Sequence, residues 1–128
     1  MNAVFDTIPA LDCNGRSLQL DRARVCGILN LTDDSFSGDG LRGDAAAAVA
    51  QGVARVVQGA DLLDGGAEST RPGAGQVDAQ AEIARVVPVI EALAKRVEVP
   101  ISIDTSKPEV MRAAVAAGAG MINDVFAL

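Results

Sequence analysis

No histidine occurs anywhere in the 128 residues. That removes histidine general bases, Ser-His-Asp triads and His-containing metal sites from the outset. Tryptophan and tyrosine are also missing, and Phe5, Phe36 and Phe126 are the only aromatic side chains. Three rings are too few to build a stacking platform for nucleic-acid bases. The two cysteines, Cys13 and Cys26, form no metal-ligand spacing. The apolar run around Cys26 predicts a buried filler, and such cysteine usage fits the cytosol. Although 49% of the residues are hydrophobic, no long uninterrupted apolar run exists, so neither a transmembrane segment nor a signal peptide is expected. Positive charge is in short supply: 11 Lys and Arg stand against 17 Asp and Glu, for a net charge of −6. That balance argues against nucleic acid or an anionic membrane as the main partner. A phosphorylated small molecule stays open, because backbone N–H groups and a metal ion can bind phosphate locally.

What is present is a repeating unit of strand, polar loop and helix. Val25–Leu31, VCGILNL, reads as a core strand that ends in Asn30 and a polar loop, 32–43, holding Asp33, Asp34 and Asp39. Long loops at this end of a strand tend to be functional; a solvated acidic loop is the plainer reading. Asp44 is suited to cap a helix from Ala45 to about Gln58, with Val49, Val53, Val56 and Val57 on one face and Gly52 weakening it. Asp61–Gly65 makes a second strand, followed by a second long loop rich in Gly, Ser, Thr and Pro. A helical region from Asp78 to about Val97 carries an apolar stripe of Val86, Val87, Ile90, Leu93, Ala94 and Val97, and Pro88 is expected to kink or split it. Met121–Asn123 is the fourth strand. Ahead of all this, Phe5–Ile8 and Ser17–Leu20 flank Asn14-Gly15, a two-residue turn signal, and predict a hairpin lead-in over 1–24 that covers the bottom of the sheet.

The third unit is the most informative. Ile101, Ser102 and Ile103 suit a strand buried on both faces. Asp104 follows at the C-terminal end, and Ser106 with Glu109 has capping-box spacing around Pro108, so a helix runs from about Lys107 to Ala117. A carboxylate at that strand end suits a partner with paired N–H donors, and equally suits a turn cap.

Repeated strand–helix units predict a parallel sheet with right-handed crossovers, in either a doubly wound sheet or a (β/α)₈ barrel. No GxGxxG or GxxxxGK[ST] follows a strand, which weighs against the nucleotide-binding folds. A barrel needs about 250 residues and eight strands. Residues 25–128 therefore read as the front half of one.

Three stretches resemble the dihydropteroate synthase family. They are Gly27–Gly40 (GILNLTDDSFSGDG), Gly59–Ala74 (GADLLDGGAESTRPGA) and Ile101–Val125, with ISIDTSKPEVMRAAVAAGA and INDV. The resemblance implies a (β/α)₈ barrel that joins 6-hydroxymethyl-7,8-dihydropterin diphosphate to 4-aminobenzoate, uses Mg²⁺, works in the cytosol and is a homodimer when complete. By position, Asn30 corresponds to the metal ligand. Asp104 and Asn123 hold the pterin and take part in the chemistry. Thr70 and Arg71 lie in a mobile loop, Thr70 also touching pterin, and Phe36 and Pro72 help form the aminobenzoate site. Three departures from the family bear on the loops: Asp33 replaces a Pro, Gly38-Asp39 inverts the usual pair, and Gly65-Gly66-Ala67 replaces a hydrophobic residue followed by two glycines. Ala67 is unfavourable there if the backbone needs positive φ. The fourth is length, because the family's later Asp, Lys, Arg and His are not among these residues. Two alternatives remain: a non-catalytic pterin-binding fragment, and a barrel like the methyltetrahydrofolate-dependent methyltransferases. The STRPG and DSFS loops favour the synthase.

Overall fold

The computed structural model of the chain describes residues 8–31, 41–67 and 78–126. A two-stranded antiparallel hairpin comes first, β1 (Ala10–Cys13) and β2 (Arg16–Gln19). Asn14 and Gly15 form its turn with φ of 56° and 85°, the positive values that a two-residue turn of this type requires. The expected first strand therefore shifts. A two-residue turn pairs the residues that directly adjoin it, so Ala10–Cys13 takes the place predicted for Phe5–Ile8. Ile8 is not in a strand, and Phe5, Asp6 and Thr7 lie outside the described residues.

The body follows as β3 (Cys26–Asn30), α1 (Leu41–Val57), β4 (Leu62–Gly66), α2 (Ala79–Arg96), β5 (Ile101–Asp104), α3 (Pro108–Ala117) and β6 (Met121–Asn123). The four strands form one parallel sheet in the order β3-β4-β5-β6. Side chains alternate across it. Leu29, Leu63, Ile101 and Ile103 join one buried cluster with Ala48 and Val49 of α1, Val86, Val89, Ile90 and Leu93 of α2, and Val110 and Ala114 of α3. Each fully buried Leu, Ile or Val contributes about 1.5–3 kcal/mol. All three helices therefore pack on one face. A doubly wound sheet needs helices on both faces and a reversal of strand order, whereas sequential order with one-sided helices is how a (β/α) barrel begins.

Several local expectations change. Asp44 lies in the first turn of α1 rather than capping it, since the helix already starts at Leu41. Val57 is 81% exposed, because α1 approaches its neighbours through small residues, Ala45, Ala48 and Gly52, with Val49, Val53 and Val56 beside them. A Cβ at Gly52 would lie 2.7 Å from Leu93 Cδ2, so this glycine leaves the room that Leu93 of α2 fills. Helix α2 runs unbroken through Pro88. Pro88 and Ala84, whose carbonyl loses its helical donor, are both exposed, and water can serve that oxygen. At α3 the Ser106–Glu109 capping box is not used. Lys107 takes the N-cap position without a side-chain cap bond, and Thr105 Oγ1 accepts the Lys107 N–H at 3.2 Å instead. Cys26 is exposed, not buried; it lies on the sheet face opposite the helices.

The hairpin closes the N-terminal end of the sheet. Arg16 donates to the carbonyls of Ala94, Val97 and Val99 at 2.7, 2.7 and 2.9 Å, a cation at and just beyond the C-terminus of α2. Asn14 Nδ2 donates to Ala119 O. Nearby, Asp61 accepts the Val25 N–H at 2.8 Å and sits 3.4 Å from Arg24 and 3.6 Å from Arg22. The Val25 hydrogen bond first, then the two arginines, hold its carboxyl below the usual range.

Candidate functional site

The site is built where the four parallel strands end. Register pairs Asn30 with Gly66 and Asp104 with Asn123. A Cβ placed on Gly66 would lie 3.1 Å from Asp104 Cβ. Asn30, Gly66, Asp104 and Asn123 thus form one row across the sheet, at its C-terminal end, on the face away from the helices. Three polar groups from β3, β5 and β6 converge there, with Gly66 leaving a gap in the row. A Cβ in that gap would also press on the Asp104 carbonyl at 3.2 Å. Asn30 and Asn123 are exposed, and Asp104 is half-buried.

A second layer lies one residue pair below. Asp64 aligns with Ile28 on one side and Ser102 on the other. Asp64 is 8% exposed and Ser102 is 2% exposed. Asn123 Nδ2 donates to Asp64 Oδ2 at 3.3 Å. Cys26 belongs to this face too. Loss of hydration, and secondarily the charge of Asp64, push its thiol pKa up, so it stays a neutral thiol and not a nucleophile.

Behind the rim, a buried ionic cluster ties α2 to the turn after β5. Glu82, in the first turn of α2, is 0% exposed. It accepts from Thr105 Oγ1 at 2.7 Å and pairs with Lys107 Nζ at 2.8 Å. Thr105 directly follows Asp104, and its N–H donates to Asn123 O at 3.2 Å. The turn that carries Asp104 is therefore pinned from both sides.

Asn30, Asp104 and Asn123, expected from sequence, come together as one row. Phe36, Thr70, Arg71 and Pro72 lie outside the described residues, as do Asp33, Asp34 and Gly38-Asp39. Ala67 is buried and its backbone is not left-handed; Asn14 is the one non-glycine with positive φ among the described residues. Asp64 and Glu82 were not singled out in the sequence. The signal for Asp64 was there, a carboxylate inside the otherwise apolar strand LLDGG. Glu82 reads locally as a helix-surface charge. For a cation, the described residues contain no group of three or more acidic, His or Cys side chains. The Asn30 amide oxygen is a hard donor that fits Mg²⁺, which keeps waters and takes the rest of its ligands from phosphate. No helix among the described residues is long and apolar enough to cross a membrane.

Comparison with known proteins gives the family and the fold. The family model described as "Pterin binding enzyme" matches residues 26–128. The dihydropteroate synthase of Escherichia coli is 48% identical over 118 residues, which cover 92% of this chain and 42% of that protein. A solved structure of the Xanthomonas albilineans dihydropteroate synthase with 4-aminobenzoic acid superposes with a TM-score of 0.86 at 61% identity, covering 93% of this chain and 44% of that one. The same enzyme in complex with 7,8-dihydropteroate gives a TM-score of 0.78 at 52% identity, over 91% of this chain and 40% of that one. The four-stranded parallel sheet and its helices match part of the (β/α)₈ barrel of these relatives. The chain spans about two fifths of their length.

Proposed function

Because the chain belongs to the pterin-binding enzyme family, we propose that it supplies the first half of a dihydropteroate synthase site. The reaction joins 6-hydroxymethyl-7,8-dihydropterin diphosphate to 4-aminobenzoate. A C–N bond forms at the pterin methylene carbon, the C–O bond to diphosphate breaks, and the amine loses a proton. The carrying observation is the row itself: a carboxylate and two carboxamides from three separate strands, side by side on the helix-free face.

In this reading Asp104 accepts from paired N–H groups on the pterin, a charge-assisted contact that a neutral side chain cannot match. Asn123 both donates to and accepts from the ring. The Asp104 carboxylate would also stabilise positive charge on the pterin if the C–O bond breaks ahead of amine attack. Asn30 would hold Mg²⁺, which when bound neutralises charge on the leaving diphosphate. Thr70 and Arg71 would close over the substrate, and Phe36 and Pro72 would flank the aminobenzoate, excluding water that competes with the amine. A cytosolic location and a homodimer go with this activity.

One narrower reading is favoured by the chain spanning 42% of its Escherichia coli relative: these residues hold pterin and leave turnover to the rest of a barrel. Calorimetry with a pterin ligand tests what both readings share. Asp104→Asn should lower affinity by at least tenfold, since hydrogen bonds to a charged group contribute about 1.5–3 kcal/mol. Unchanged affinity would remove Asp104 as the anchor.

A further inference from the structure

Beneath the rim, Asp64 raises a question that pterin binding at the top row does not answer. Its side chain is more than nine-tenths buried. Its Oδ2 accepts from Asn123 Nδ2 at 3.3 Å. Its Oδ1 is buried and meets no hydrogen-bond donor among the described residues. Burying a carboxylate with an unpaired oxygen is unfavourable, so a role in the site is a better account than packing.

The chemistry of the pair supplies that role. The two ends of an Asn carboxamide have nearly the same shape but opposite hydrogen-bonding character, and nothing intrinsic selects one flip over the other. An ionised carboxylate only accepts. Facing Asp64, the Asn123 amide can turn only its NH₂ end inward, because the opposite flip would set oxygen against oxygen. Asn123 then offers the mouth of the site its carbonyl oxygen and the second N–H. In the opposite flip it would offer two donors and no acceptor.

We infer that Asp64 is a positioning residue whose carboxylate fixes the flip of the Asn123 amide, and thereby makes the rim read a heterocycle edge that carries an N–H donor beside an acceptor. The inference rests on the reading of the rim as a pterin site. Gly66 is part of the arrangement: directly above Asp64 along β4, it puts no side chain between the rim and the layer beneath.

A double-mutant cycle with 6-hydroxymethylpterin as the probe, read by calorimetry, tests this. Asp64→Asn has the same shape but can donate to the Asn123 carbonyl, so it stabilises the flip that the carboxylate excludes; with the charge-assisted hydrogen bond to the amide also lost, it should weaken binding by about tenfold. Asn123→Ala, at an exposed position that tolerates truncation, should weaken it by a similar factor. The double variant should bind no more weakly than Asn123→Ala alone, because Asp64 acts through that amide. Two losses that simply multiply would overturn the inference, as would an Asp64→Asn variant that binds within twofold of the parent. A second readout needs no ligand. In the ¹H–¹⁵N spectrum of the unsubstituted protein, the Asn123 side-chain NH₂ should show one proton shifted downfield and slow to exchange, and Asp64→Asn should abolish the difference. An Asn123 amide with free-solvent shifts sinks the positioning role. A shifted amide, together with unchanged pterin affinity in Asn123→Ala, keeps the positioning role and removes the pterin reading instead.

Discussion

Glu82 and Lys107 form a pair whose two ends should respond differently to removal, and the difference can be worked from their burial. The Glu82 carboxylate is fully buried, 2.7 Å from Thr105 Oγ1 and 2.8 Å from Lys107 Nζ. The Lys107 side chain is 24% exposed. Breaking a buried pair by deleting one partner costs about 3–5 kcal/mol when an uncompensated charge is left in the interior. Lys107→Met leaves such a charge, with a single hydroxyl donor on a carboxylate that water cannot reach, so it should cost about 3 kcal/mol. Glu82→Gln leaves a neutral amide that still accepts from Thr105, and the lysine ammonium can draw on water at the edge of the cluster. Its cost should be about 1 kcal/mol. The gap of about 2 kcal/mol is a substantial part of a typical domain stability of about 5–15 kcal/mol. Urea unfolding followed by circular dichroism would report it as a shift in midpoint at unchanged m. Equal losses, or a larger loss for Glu82→Gln, would refute the reasoning, because the carboxylate would then not depend on Lys107 for its compensation.

Three further outcomes are expected. Asn30→Ala should weaken Mg²⁺-dependent binding of the pterin diphosphate while leaving bare pterin nearly unaffected; equal losses in calorimetry would make Asn30 structural. Asp61 has its folded pKa held below the usual carboxylate range, chiefly by the Val25 N–H. Its stabilisation is therefore present above the unfolded pKa and is lost as pH falls through the folded one. Urea midpoints of parent and Asp61→Asn should differ at neutral pH and converge below about pH 4; a gap independent of pH would exclude Asp61 as the cause. The 128-residue chain alone should associate and show no appreciable turnover. Val25, just before β3, and Ile28 within it are 59% and 58% exposed, Val125 and Phe126 are 58% and 75% exposed, and β3 and β6 each pair on one side only among the described residues. Open edges and apolar patches of that kind recruit partners. A monomer by light scattering that forms dihydropteroate at enzymatic rates would contradict this.

The alternation of strand, polar loop and helix was legible in the sequence because it rests on local rules: hydrophobic period, turn chemistry and the residues that stop helices. Met121–Asn123, the Asn14-Gly15 turn and the strand at Ile101 all follow from neighbours a few positions apart. The motifs around Asn30, Thr70, Asp104 and Asn123 identified the family in the same way, since each is a run of neighbouring residues.

Placement was decided only in three dimensions. That the helices share one face, choosing a barrel over a doubly wound sheet, depends on how separate units stack. The row of Asn30, Asp104 and Asn123 depends on register, where a slip of one residue would turn each side chain to the other face. The Glu82–Lys107 pair spans 25 positions and the Asp64–Asn123 pair spans 59. Neither has a periodic or local signature, so each becomes visible only when strands and helices distant in the chain are packed together. Exposure followed the same rule. Cys26 and Val57 sit in apolar runs yet face outward, because hydrophobic composition says a residue can be buried, while only the neighbouring elements determine whether anything lies there to bury it.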